Sequence, residues 1–201
     1  MASKLGFYVN VERCVGCRGC EAACQVSWSS PPGIPWRKVG ELEVGSFPGV
    51  AQLFLSLSCN HCEVPVCALS CPTRAYTKRD DGVVFVDPAR CIGCKMCTWA
   101  CPYGAPQYDP HTRVVTKCHF CQPLIDAGGA PRCVESCPYG ALDWGPMDEL
   151  LRRYPNTQRS ASHFPDPGIT SPNILFELPV DMPAQTRRID ATQRLADRAR
   201  R

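Results

Sequence analysis

The stretch CIGCKMCTWACP at residues 91–102 carries four cysteines spaced C-x2-C-x2-C-x3-C and closes on a proline. That spacing decides the reading of the chain, because it recurs. Cys14, Cys17, Cys20 and Cys24 repeat it in CVGCRGCEAAC. Cys59, Cys62, Cys67 and Cys71 widen the middle gap to four residues, and Cys118, Cys121, Cys133 and Cys137 widen it to eleven. Every group opens with C-x2-C and ends with C-x3-C, and three of the final cysteines precede Pro72, Pro102 and Pro138. Alanine follows each of those three, at Ala75, Ala105 and Ala141. An internal repeat of this kind signals four copies of one small unit.

Such a run suits a cubane [4Fe–4S] cluster. One tight loop offers thiolates to three iron corners, and the fourth cysteine turns away to serve a neighbouring cluster. Zinc sites ask for two C-x2-C pairs per metal and do not call for a three-cysteine run closed by C-x3-C-P. A disulfide framework would need an oxidising compartment, and cysteines this close in a tight loop bridge each other poorly. The sequence therefore predicts four [4Fe–4S] clusters on sixteen cysteines.

Exchange of the fourth cysteines sets the pairing. Only nineteen residues separate the second group from the third, which pairs Cys59, Cys62, Cys67 with Cys101, and Cys91, Cys94, Cys97 with Cys71. By elimination Cys14, Cys17, Cys20 pair with Cys137, and Cys118, Cys121, Cys133 with Cys24. The expected fold is α+β: two ferredoxin-like modules with two clusters each, loop-rich, with short strands and helices. The four-cluster region spans 1–145, with 59–101 as the central module and 1–24 with 118–145 as the second. Residues 146–201 form a cysteine-free extension expected to contact a partner.

The rest of the composition agrees. Twenty prolines and fifteen glycines in 201 residues predict turns and few long elements. Each oxidised cluster with four thiolates carries about −2, so four would take the formal charge of +3 to about −5, and the basic pI gives no nucleic-acid signal. No window nears the roughly 18 apolar residues of a membrane span, and the N-terminal MASKLGFYVNV lacks the pattern of an export signal. No catalytic Ser/His/Asp set or glycine-rich phosphate loop remains, which excludes nucleotide binding and predicts no bond-making chemistry in this chain.

Short strands are expected at Phe7–Val11, Val50–Leu57, Val83–Val86 after an Asp81-Gly82 turn, Val114–Val115 and Ile174–Leu178. A short helix is expected around each final cysteine, and another over Pro146–Arg153. Residues 25–48, rich in Ser, Pro and Gly, read as a surface loop, and the last fifteen residues as a solvated tail. His61 and His119 read as loop residues beside the thiols, Trp28, Trp36, Trp99 and Trp144 as packing, and Lys78 to Asp81 as a solvated turn.

The segments CNHCEVPVCALSCPTRA, DGVVFVDPARCIGCKMCTWACPYGAPQYDP, TKCHFC and PRCVESCPYGALDWGPMDEL resemble the iron–sulfur subunit of anaerobic dimethyl sulfoxide reductases over roughly residues 5–180. More broadly they are similar to the four-cluster subunits of molybdopterin oxidoreductases for polysulfide, tetrathionate, nitrate and formate. The resemblance implies an electron relay between a molybdopterin catalytic subunit and an integral membrane subunit that oxidises quinol, with the chain peripheral and held at the membrane by that partner. It implies the same first-with-fourth pairing, and the cluster order Cys14, Cys118, Cys91, then Cys59 nearest the membrane. Cys94, which is tryptophan in nitrate-reductase relatives, implies that every cluster has four irons. Gln25 departs from the proline that ends the other groups. A free polyferredoxin is the rival reading; the 25–48 insert and the cysteine-free tail argue against it.

Overall fold

The computed structural model describes residues 3–31, 33–161, 164–179 and 186–189. Along the chain lie β1 (Leu5–Asn10), α1 (Gly19–Trp28), β2 (Lys38–Val44), β3 (Ala51–Leu57), α2 (Val66–Leu69), β4 (Tyr76–Lys78), β5 (Val84–Val86), α3 (Met96–Ala100), β6 (Gln107–Asp109), β7 (Val114–Thr116), α4 (Gln122–Asp126), α5 (Arg132–Glu135), β8 (Leu142–Pro146), α6 (Met147–Arg153), β9 (Ile174–Glu177) and β10 (Thr186–Ile189). The helices are short, and the described strands form two three-stranded sheets and two hairpins.

The sheet β8-β1-β9 is the frame. β1 pairs antiparallel with β8, Phe7 opposite Trp144, and parallel with β9, Phe7 opposite Ile174. Both faces of this sheet are covered. Phe7 and Val9 pack with Phe120, Leu142 and Phe176, while Tyr8 faces the other way onto Met147, Leu150 and Leu175. Side chains of this size each contribute about 1.5–3 kcal/mol when fully buried. Ile174–Leu178, a strand-like stretch in the cysteine-free extension, thus supplies a buried edge of the frame. Most of the expected tail lies outside the described residues.

The insert departs from the expected loop. Its first residues continue α1, and Lys38–Val44 forms β2, antiparallel to β3 with Leu42 opposite Leu53. Val39, Leu42 and Val44 are buried. The Glu41-Leu42-Glu43-Val44 alternation carried this signal, but the flanking Ser, Pro and Gly masked it. The backbone of β10 adds to the outer edge of β2, Thr186 opposite Val44.

The helices begin one cysteine earlier than expected. Cys20, Cys67, Cys97 and Cys133 are each the second residue of α1, α2, α3 and α5. In the last three groups the helix has ended before the fourth cysteine. A proline pushes the residue before it out of helical geometry, and Cys101 accordingly has φ −76°, ψ 113°. Gln25 imposes no such stop, so α1 runs on through Cys24 to Trp28.

Gln25→Pro is therefore expected to cost about 3 kcal/mol and to unseat Trp28, read as a lower anaerobic unfolding midpoint with altered tryptophan fluorescence.

Candidate cluster-binding site

Each cysteine loop carries a left-handed residue at the same place. The position before the second cysteine has positive φ in all four groups: Gly16 at 70°, His61 at 44°, Gly93 at 69° and Phe120 at 60°. Glycine takes this conformation freely. At Gly93 a side chain is also excluded by space, since a Cβ would sit 2.3 Å from the Arg113 carbonyl oxygen. His61 and Phe120 bear the strain instead, about 1–2 kcal/mol each, and offset it by complete burial. Phe120 stacks on Phe7 at 4.3 Å, and His61 meets Phe120 edge-on at 5.1 Å. A second recurrent turn follows the fourth cysteine, where Arg74, Gly104 and Gly140 donate N–H to the carbonyls of Cys71, Cys101 and Cys137.

All sixteen sequence-predicted cysteines fall into four sets. One cavity is lined by Cys59, Cys62, Cys67 and Cys101, another by Cys71, Cys91, Cys94 and Cys97, and a third by Cys14, Cys17, Cys20 and Cys137. Cys24, Cys118, Cys121 and Cys133 form the fourth set: burial first, then the sulfurs of Cys118 and Cys133, push the Cys24 thiol well up. In every set three sulfurs come from one group and the fourth from another.

The sets stand in a row. Helix α1, which carries Cys20 and Cys24, packs against α5, which carries Cys133, and this joins the Cys14 and Cys118 sets. Burial, then the neighbouring Cys59 sulfur, raises the Cys118 thiol to about 11, which joins the Cys118 and Cys59 sets. Tyr76, raised by burial and by Cys97, Cys67 and Cys59, stands between the Cys59 and Cys91 sets. The row thus runs Cys14, Cys118, Cys59, Cys91, and the last two are reversed from the order the resemblance implied. The contact of His61 with Phe120 explains the reversal, because it holds the Cys59 loop against the Cys118 loop.

The donor set fits an iron–sulfur cluster. Burial pushes the Cys62 thiol up to about 12, with Thr170 opposing through a hydrogen bond and Cys59 and Cys101 adding to the rise. Thiols raised in this way keep their protons until a positive cluster core displaces them. No carboxylate lines any of the three cavities, and their charged lining residues are the cations Arg18, Lys95 and Lys117. Among the described residues no three Cys, His, Asp or Glu side chains converge on a single-ion position. Sulfurs also accept hydrogen bonds: Trp28 Nε1 to Cys121 at 3.2 Å, and the N–H groups of Ala75, Val115 and Phe120 to Cys71, Cys91 and Cys118, each at 3.4 Å.

The other singled-out residues divide. His61 accepts from the Val84 N–H through Nδ1 at 3.0 Å, and His119 packs between the rings of Trp28 and Trp36. Trp144 packs on Phe120, whereas Trp99 is 84% exposed. The charged turn is tied down by a bidentate Arg79–Asp126 pair at 2.8 and 2.7 Å. Sequence reasoning missed Arg37 and Lys117, whose side chains are fully buried. Lys117 directly precedes Cys118, a position that could have drawn attention; nothing around Arg37 marks it.

Comparison with known proteins points the same way. Residues 50–147 match the 4Fe-4S dicluster domain and residues 11–27 the 4Fe-4S binding domain. The iron–sulfur subunit of the Escherichia coli K12 anaerobic dimethyl sulfoxide reductase is 41% identical over 185 residues, 88% of this chain and 90% of the relative. Its Haemophilus influenzae counterpart is 40% identical over 181 residues, covering 86% and 88%. The corresponding subunit of Salmonella typhimurium tetrathionate reductase is 40% identical over 126 residues, covering 61% and 50%.

Phe120→Gly relieves the left-handed strain yet empties the core beside Phe7. The net loss is expected at roughly 2–4 kcal/mol, measured by anaerobic denaturant unfolding against His61→Gly as the paired variant.

Proposed function

Since this chain is a member of the family of iron–sulfur subunits of anaerobic dimethyl sulfoxide reductases, we propose that it relays electrons through four [4Fe–4S] clusters between a quinol-linked membrane subunit and a molybdopterin catalytic subunit. When bound, each cluster takes up and gives back one electron. The chain's own residues hold the clusters, shield the inner ones from water and present the ends of the row to partners.

The observation that carries this reading is the single-file arrangement of four thiol sets, each closed by a sulfur from another group. The proposed clusters are held by Cys14, Cys17, Cys20 and Cys137; by Cys118, Cys121, Cys133 and Cys24; by Cys59, Cys62, Cys67 and Cys101; and by Cys91, Cys94, Cys97 and Cys71. They make two modules of two clusters, residues 59–101 and residues 1–24 with 118–145.

The ends of the row support two docking faces. Cys17 and Cys94, one in each terminal set, are the two exposed cysteines of the sixteen. Val15 and Tyr139 are exposed beside the first, and Ile92, Met96 and Trp99 beside the second. Exposed apolar groups gathered at a redox terminus suit a protein partner. We assign the catalytic subunit to the Cys14 end and the membrane subunit to the Cys91 end. No described helix is long and apolar enough to cross a membrane, so membrane attachment in this reading comes from the partner.

Anaerobic isolation should yield a brown protein with iron and acid-labile sulfide each near about sixteen per chain, co-purifying with a molybdenum subunit; a colourless, iron-free chain silent in low-temperature EPR overturns the reading. Trp99→Ala should leave folding within about 0.5 kcal/mol of wild type and the iron content intact, while weakening membrane-subunit docking by about 1 kcal/mol or more, seen as loss of the chain from washed membranes.

A further inference from the structure

Two cations are fully buried among the described residues, Arg37 and Lys117, each 2% exposed. Neither has a carboxylate partner among the described ion pairs. Asp109, the one buried acid among the described residues, spends its oxygens on His111 N–H and on Thr112 at 2.8 Å. A buried charge without a counter-charge costs several kcal/mol, so something else must compensate these two.

Lys117 touches sulfur directly, and Arg37, which lies over the Phe7 ring, reaches sulfur through a serine. The Lys117 ammonium donates to Cys59 Sγ at 3.4 Å, to the Cys118 carbonyl at 3.0 Å and to the Val84 carbonyl. Two carbonyls and one sulfur thus face the three donor positions of a lysine side chain. Lys117 therefore spans the junction between the Cys118 and Cys59 sets. Arg37 donates to Ser56 Oγ at 3.1 Å and Ser58 Oγ at 3.0 Å. Ser56 Oγ in turn lies 3.4 Å from Cys20 Sγ, and Arg37 opposes the burial-driven rise of the Cys133 thiol. Its Nε has no partner. Arg37 therefore spans the junction between the Cys14 and Cys118 sets. At the third junction, between the Cys59 and Cys91 sets, the buried group is the neutral Tyr76 hydroxyl.

We propose that Arg37 and Lys117 are potential-setting residues, each raising the reduction potentials of the two clusters that it separates. The inference rests on the cluster assignment above. Each one-electron reduction adds one negative charge to a cluster. A fixed cation in a low-dielectric site stabilises that added charge more than it stabilises the oxidised cluster. The anionic clusters also answer why two unpaired cations are tolerated inside the protein. The pattern along the row is then uneven by construction: the first two junctions are cationic and the third is neutral.

The test is an EPR-monitored dithionite titration of the anaerobically isolated, cluster-loaded full chain. Lys117→Met should lower the equilibrium constant for at least one reduction step about tenfold, which is about 59 mV for one electron, with iron and sulfide unchanged. Arg37→Gln should do the same to a different set of steps, and Lys117→Arg should restore the wild-type curve to within about threefold. Titration curves that superimpose on wild type in both neutral variants, with iron intact, overturn the proposal and leave the cluster assignment standing. Iron loss in both neutral variants also overturns it, since the cations would then be holding the clusters and not tuning them. Absence of any EPR signal in the wild-type chain instead defeats the assignment itself.

Discussion

Four sulfurs cannot close around one cavity from a single tight loop, and this constraint organises the molecule. In every group the opening C-x2-C turns left-handed just before the second cysteine, at Gly16, His61, Gly93 and Phe120, and this brings the first thiols to one side. The chain then enters a helix at the third cysteine, and one helical turn carries the fourth sulfur to the far side. That sulfur lines the neighbouring set, so no set is complete without a distant part of the chain. The fold is a consequence of this exchange: short helices on the third cysteines, hairpins between the loops, and one sheet, β8-β1-β9, bringing the first and last groups together.

The chemistry of the site is legible in the sequence because cysteine spacing is a statement about ligand geometry. The strands are legible where apolar residues alternate cleanly, as at Phe7 and Val9. The insert misleads because Ser, Pro and Gly around Lys38–Val44 carry a turn signal louder than four alternating residues. The helix starts fall earlier than expected because the proline after the fourth cysteine marks where a helix must have stopped, not where one begins. Two kinds of feature leave little or no trace. The left-handed turns at His61 and Phe120 use residues that do not advertise the conformation, since burial and stacking on Phe7 sustain it. The order of the thiol sets depends on that same contact, which no spacing encodes.

Electrostatics connects these layers. A row of anionic groups inside a small protein needs low-dielectric walls for insulation and positive charge for solubility in those walls. The chain meets the first need with apolar linings around the cavities, and the second with backbone N–H groups aimed at sulfur and with Arg37 and Lys117 at the first two junctions of the row. For Arg37, burial works to lower the pKa, and the sulfurs of Cys133, Cys20, Cys118 and Cys24 push it up. The surface ion pairs, such as Arg132–Glu135, are exposed and of the kind that contributes under about 1 kcal/mol.

The parallel pairing of β9 with β1 has a bearing on biogenesis. A parallel neighbour cannot be reached by a tight hairpin, and here β1 waits for a strand drawn from near the opposite terminus. The thiol set of Cys14 likewise waits for Cys137. During synthesis the nascent polypeptide therefore leaves the ribosome with its N-terminal ligands still open to solvent, while the local set around Cys59 and Cys101 can already close. The N-terminal set is therefore the one that depends on the most distant part of the chain.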